Sequence, residues 1–247
     1  MTRLSLRLSL VAAAIVLGAS ITAAGRPGLF APGDAARASH VTSAAGTVGD
    51  VFGGGRGRRI GEVRRRLRER EAGTYIGEVL RSRDSALARW PERLEEPIRV
   101  WVQPASGVAD WHPVFVRMAR EAFVDWMTTG IPVRFVFVAD SADADAHLVW
   151  IDHFDEPISG KTRWARDEAY WITDADIQIA VHHNEGVTLD TLAVKAITLH
   201  EVGHLLGLDH SADAANIMTP RVRVRDLSPA DRATMRLLYS LPPGPVR

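Results

Sequence analysis

Cysteine is missing from all 247 residues. A domain without it has no disulfides and no cysteine-borne lipid anchor, so it must rely on an apolar core and on bound metal for stability. A long hydrophobic run is missing too. The apolar stretch from Leu8 to Ile21 is shorter than the roughly 18 to 20 residues of a membrane span. Arg3 and Arg7 precede it and small residues around Thr22-Ala23-Ala24 follow, the layout of an export signal over residues 1–24. No twin arginine marks a folded-export route. Surplus charge is also absent, since 30 Lys and Arg balance 30 Asp and Glu. The balance is uneven along the chain: residues 1–70 hold 12 Arg against 4 acids, net +8, which leaves residues 71–247 at −8. Nucleic-acid binding needs the basic face on the folded domain. It lies outside, and nucleic acid is excluded as a partner.

Residues 26–55 are rich in Ala, Gly and Ser and poor in large apolar side chains, as in a flexible linker or pro-region. The run from Arg56 to Arg70 extends that segment, so residues 25–74 read as linker or pro-region. The run has the composition of a basic helix docking on the acidic domain, a membrane-surface patch, a processing site or a solvated tail; these alternatives stay open. Gly55-Arg56-Gly57-Arg58-Arg59-Ile60-Gly61 has the wrong spacing for a nucleotide-binding loop and no preceding strand.

What the chain does have is His200-Glu201-Val202-Gly203-His204-Leu205-Leu206-Gly207-Leu208-Asp209-His210. On a helix of about 3.6 residues per turn, His200 and His204 share one face, roughly 6 Å apart along the axis. Two ring nitrogens then reach one ion. Glu201 sits about 100° further round, suited to hold a water beside the metal as general base. Gly207 can end the helix at positive φ, so the chain turns and carries His210 back. Three protein nitrogens leave a fourth tetrahedral position open, which is the arrangement of a catalytic zinc rather than a structural one. Hydrolysis is the chemistry expected.

The extended motif, with Ser211 after the third histidine and Asn216-Ile217-Met218-Thr219-Pro220 beyond it, resembles the metzincin metallopeptidases and, within them, the matrixin branch. The resemblance implies that Met218 is the methionine of the Met-turn, an apolar floor under the zinc. It implies an α+β fold with a mixed, mostly parallel twisted sheet, an antiparallel edge strand, an active-site helix and a C-terminal helix. It further implies a secreted or cell-envelope zinc endopeptidase, probed by peptide substrates along the edge strand. Lys161, Thr162, Arg163 and Trp164 on that strand, and Pro220, Arg221 and Val222 after the Met-turn, are the substrate-binding candidates. The chain departs from animal matrixins in having no pro-region cysteine to ligate the zinc and a short loop, Asp152-His153-Phe154-Asp155-Glu156-Pro157, before the edge strand. Calcium is a further cofactor for which Asp152, Asp155, Asp174 and Asp176 supply oxygens.

Periodicity places the elements. Ile98 to Val102, Val133 to Val138, Ala146 to Ile151 and Ala175 to Val181 read as strands, Lys161 to Ala165 as the edge strand. His112 to Met127 reads as an amphipathic helix ended by Thr128-Thr129-Gly130. The histidine helix is expected to start near Thr188 to Asp190, and Ser228, Pro229 and Asp231 form a capping box for the last helix. The resemblance implies a catalytic domain over residues 75–247, monomeric and acting on protein or peptide, with a membrane involved only if the N-terminal segment stays uncleaved. The alternative is an inactive zinc-binding or membrane-tethered surface module of the same fold.

Overall fold

A period-two pattern in four central segments and a capped, apolar helix between them dictate a sheet with helices packed on it. The computed structural model describes residues 51–184 and 186–246. The expected export signal and the linker before residue 51 lie outside the described residues. In chain order the elements are α1 (Val51–Arg70), α2 (Ile76–Ser82), β1 (Ala86–Leu87), β2 (Arg93–Val102), α3 (Val114–Met127) and β3 (Val133–Phe137). After a 3-10 turn at Ser141–Asp143 come β4 (Ala146–Ile151), β5 (Gly160–Arg166), β6 (Ile172–Ala180), α4 (Thr191–Leu205), α5 (Pro229–Ser240) and β7 (Gly244–Pro245).

The main sheet runs β3-β2-β4-β6-β5. Its first four strands are mutually parallel, and β5 closes one edge antiparallel to β6. That is the mixed sheet with an antiparallel edge expected from the family resemblance. β2 starts five residues before the alternation at Ile98, because a register irregularity between Arg93 and Ile98 lets Arg93 pair with Val133. Leu94-Glu95-Glu96-Pro97 carries no alternating signal, and a proline within a strand sits at such irregularities. The second, two-stranded sheet joins β1 to β7; two-residue strands leave no pattern to read.

α3 buries Phe115, Met118, Ala119, Ala122, Phe123 and Trp126, one apolar stripe at helical spacing. It ends at Met127 with Thr128 as C-cap, and Gly130, at φ +79°, turns the chain away from the helix. The stripe packs on α4, and α4 in turn lies against β5 and β6. Trp126 fixes the pair by donating its indole N–H to the Leu199 carbonyl at 2.8 Å. α5 begins as its residues require, with the Ser228 side chain and the Asp231 side chain forming a reciprocal capping box and Pro229 at the first turn.

The arginine-rich stretch is helical from Val51. Glu62 pairs with Arg65 and Arg66, and Glu69 with Arg65; these exposed pairs are screened by water and add little. What seats the helix is Val63 and Leu67, four apart and both part of the main core. Arg64 Nε also donates to the Val246 carbonyl at 2.8 Å. Among the described residues no helix is long and apolar enough to cross a membrane.

Candidate metal centre

Asp190 caps α4 by accepting the Ala193 N–H at 2.7 Å. From Ala196 to Leu205 every side chain is buried, so α4 is a core helix enclosed by α3 and the sheet rather than a surface one. His200, Glu201 and His204 are fully buried within it. The helix closes in a Schellman motif: Leu208 N–H bonds the Gly203 carbonyl at 2.9 Å, and Gly207 N–H bonds the His204 carbonyl at 3.0 Å. Gly207 has φ +106°, and a Cβ there would run into the Ala88 carbonyl oxygen. Only glycine lets the chain reverse at this point and bring His210 to the other two rings.

The three rings meet through their Nε2 atoms. His204 Nε2 lies 3.1 Å from His200 Nε2 and 3.3 Å from His210 Nε2. Two of the opposite ring nitrogens face carbonyls: His200 Nδ1 is 2.8 Å from the Ile217 oxygen and His204 Nδ1 is 3.0 Å from the Leu208 oxygen. A carbonyl can only accept, so both Nδ1 atoms carry the proton and both Nε2 lone pairs point at the common centre. Zinc–nitrogen bonds of about 2.0–2.1 Å at tetrahedral angles would put ligand nitrogens about 3.3 Å apart. The residues fit zinc. Burial holds the His200 imidazole down at about 3, with His210 adding to the shift. Burial also holds His204 and His210 below the usual range. Each shift favours the neutral ring, the ligating form.

Glu201 is beside them on the same helix. Its Oε2 accepts the Thr162 hydroxyl at 2.6 Å, while Oε1 is buried with no hydrogen-bond partner. Burial pushes this carboxyl up to about 8, against the opposing Thr162 bond.

Met218 is fully buried. A Cβ on Gly203 would overlap its Sδ, so Met218 packs directly on the turn of α4 that carries His204. Asp231 braces the same segment. Its Oδ2 accepts from Ile217 N at 2.9 Å and Ser228 N at 2.8 Å, and its Oδ1 accepts the Tyr75 hydroxyl at 2.9 Å. The Ile217 backbone therefore links His200 to α5, its carbonyl oxygen facing the ring and its N–H facing Asp231.

A second brace comes from before the sheet. Arg83 Nη2 donates to the Leu208 carbonyl at 2.7 Å and Arg83 Nε to Asp209 Oδ2 at 3.2 Å. Its guanidinium lies 5.1 Å from the Trp164 ring centroid. Burial would raise the Asp209 carboxyl, but Arg83 and the His210 N–H hold it below its ordinary value. Arg83 thereby fixes the two residues that precede the third histidine. A lone arginine 126 residues upstream of its partner offers no local signal.

The substrate-binding candidates divide. Lys161 is partly exposed, with Nζ 4.0 Å from Glu156, and Arg163 is exposed. Thr162 and Trp164 are buried and face inward. After the Met-turn, Arg221 is exposed, Pro220 partly so, and Val222 packs in the core. Of the acids named for calcium, Asp152 pairs with His153 and His182, and Asp176 with His147 at 3.5 Å. Among the described residues the three-histidine group alone gathers His, Cys, Asp or Glu in metal-ligating geometry.

Comparison with known proteins agrees with this geometry. Residues 112–240, slightly more than half of the chain, match the family model described as Matrixin. The chain is 28% identical to Metalloendoproteinase 1 of Glycine max over 145 residues, 56% of this chain and 45% of that protein. It is 32% identical to Metalloendoproteinase 2-MMP of Arabidopsis thaliana over 124 residues, 47% and 31% respectively. Metalloendoproteinase 1-MMP of the same plant is 30% identical over 141 residues, 49% and 36%. The chain spans less than half the length of each of these relatives.

Proposed function

Because the chain belongs to the matrixin family, we propose that it is a zinc-dependent endopeptidase acting on protein or peptide substrates. The observation that carries this is the convergence of three Nε2 atoms beside a buried carboxylate with one free oxygen. His200, His204 and His210 hold the ion, and Met218 supports the turn of α4 beneath them. Bound zinc supplies Lewis acidity, which polarises a carbonyl and lowers the pKa of water to about 7. Glu201 Oε1 takes the proton of the attacking water and returns it to the leaving amine nitrogen. β5 is an edge strand with one side unpaired, so an extended peptide can add to it by backbone hydrogen bonds. Lys161 and Arg163 flank such a peptide, and Pro220, Arg221 and Val222 contribute the wall of its side-chain pocket.

Residues 1–24 act in this reading as an export signal and 25–74 as linker or pro-region before a catalytic unit at 75–247. Arg3, Arg7 and the apolar run support the first assignment. Tyr75 supports the last boundary, since its backbone N–H and hydroxyl are both anchored on α5. N-terminal sequencing of exported protein checks both cuts, and an intact N-terminus on the exported chain would overturn them.

The test of the activity is zinc analysis of the purified protein together with digestion of casein and a peptide library, with and without a chelator. One zinc per chain and chelator-sensitive cleavage are expected. Glu201→Ala should keep the zinc and lose about 10²–10⁴-fold in rate, the range of a general base. A Glu201→Ala protein that binds zinc and digests as fast as wild type would overturn the mechanism. Zinc binding with no cleavage of any peptide would favour the inactive-module alternative.

A further inference from the structure

β5 presents Gly160, Thr162 and Trp164 on one face, because successive strand side chains alternate. Pairing with β6 locks that phase: Gly160 stands opposite Ile179 and Thr162 opposite Ile177. The face turns toward α4, and all three residues are buried. Resting on the peptidase reading above, we propose that Gly160 and Thr162 are positioning residues for Glu201, one holding its Oε2 and the other leaving Oε1 free to take the proton.

Thr162 does the holding. Its Oγ1 is 2.6 Å from Glu201 Oε2 and 3.0 Å from the Glu201 backbone oxygen. The hydroxyl has one proton for these two acceptors, and the shorter distance assigns it to Oε2, where Thr162 is the one hydrogen-bond partner of the carboxylate among the described residues. Gly160 supplies the room. A Cβ at that position would lie 2.5 Å from Oε1, 2.7 Å from Cγ and 2.8 Å from Cδ of Glu201. Any side chain there would push the carboxylate from the place where Oε1 is buried and unbonded. Gly160 φ is not in the positive range, so the glycine answers to the carboxylate and not to a backbone requirement. A buried, unsatisfied carboxylate oxygen is costly in a fold and is retained where chemistry needs it. The pair therefore divides the carboxylate into an anchored oxygen and a working one.

Two measurements test this. In kinetics, Thr162→Val should lower kcat about 10–100-fold, the scale of a displacement of about 1 Å in a reacting group, with KM and zinc content unchanged. Gly160→Ala should behave alike, and Thr162→Ser should restore most of kcat. In a Glu201→Ala background neither substitution should cost anything further, since residues that act as a unit are not additive. The second measurement needs no activity: urea unfolding of wild type, Thr162→Val, Glu201→Ala and the double variant, at fixed zinc. The midpoint shift caused by Thr162→Val should be at least about twice as large with Glu201 present as without it. Equal midpoint shifts in both backgrounds would overturn the proposal, as would a Thr162→Val enzyme with wild-type kcat. A wild-type protein without any hydrolysis would refute the peptidase reading alone, and the unfolding cycle would still decide the Thr162–Glu201 contact.

Discussion

Replacing Asp231 with alanine should be among the most damaging single changes outside the histidines. Its carboxylate is fully buried and accepts three donors: Ile217 N–H, Ser228 N–H and the Tyr75 hydroxyl. Hydrogen bonds to a charged group contribute about 1.5–3 kcal/mol each, and each buried donor left unpaired costs about 1–3 kcal/mol. Ser228 is partly exposed and its N–H can be rehydrated. Tyr75 and Ile217 are buried and theirs cannot. Two orphans and the lost helix cap, about 1 kcal/mol, add to roughly 3–7 kcal/mol. Relief of the carboxylate's own desolvation offsets part of this, so a loss of about 3–5 kcal/mol is expected. Urea unfolding at fixed zinc measures it; zinc must be held constant because ligand binding adds to apparent stability. Tyr75→Phe, which removes one of the three donors, should cost only about 1 kcal/mol. Asp231 also reaches the centre, because it holds the N–H of Ile217, the residue whose carbonyl oxygen accepts from His200 Nδ1. Loosening an outer partner of a metal-ligating histidine costs about 10–100-fold in metal affinity, so chelator competition on Asp231→Ala should register that fall. A stability loss below about 1 kcal/mol, or unchanged zinc affinity, would refute the role given to this carboxylate.

Chelation of the wild-type protein should lower its melting temperature reversibly; zinc at about 100 times Kd adds about 2.7 kcal/mol, or roughly 5–10 °C for a domain of this size. No shift on adding chelator would contradict a folded-state zinc site. Gly207→Ala should destabilise by at least about 2 kcal/mol, since a positive φ costs a side-chain-bearing residue about 1–2 kcal/mol and the Cβ meets the Ala88 carbonyl besides; a urea midpoint within error of wild type would count against the Schellman turn. His182 lies between Asp110 Oδ2 at 3.1 Å and Asp152 Oδ1 at 2.7 Å. The Asp110 bond, and then Asp152, raise its pKa above 6.5 against the effect of burial. A raised folded pKa means stability fully present below the unfolded pKa and lost as pH rises through the folded one. His182→Gln should therefore be less stable than wild type at about pH 6, with the gap closing toward about pH 9; a gap that widens with pH would sink the ion-pair assignment.

The metal centre is legible from sequence because its geometry is local. His200, Glu201 and His204 need only helical spacing, Gly207 needs only a turn, and Asp190 and Ser228 announce the helices whose ends they cap. The mixed sheet is legible for a related reason, since alternation in Ala146 to Ile151 and its neighbours survives in a single strand. The supports are different in kind. Arg83 and Asp209 are 126 positions apart, Tyr75 and Asp231 156 apart. Nothing in either member of such a pair names the other. α1 shows an intermediate case: its arginines dominate the composition, while among the described side chains its buried apolar seat is Val63 and Leu67, a two-residue stripe that a basic run conceals.

β5 shows where strand reasoning stops one step short. Substrate pairing is a property of backbone, so Lys161 through Trp164 enter the expectation as one block, without regard to which way each side chain points. The phase of the strand separates them. Trp164 is the large apolar residue of the stretch and has to be the one buried; by alternation Thr162 and Gly160 then share its face, and Lys161 and Arg163 share the other. A slip of one residue would aim Lys161 at the carboxylate and expose Trp164, so the burial of one indole also determines which groups meet the general base. That inference needs only Trp164 and a period of two. What it cannot supply is the element lying under the inner face, because the contact between β5 and α4 joins segments 39 positions apart and exists only once β6 has set the edge strand beside the histidine helix.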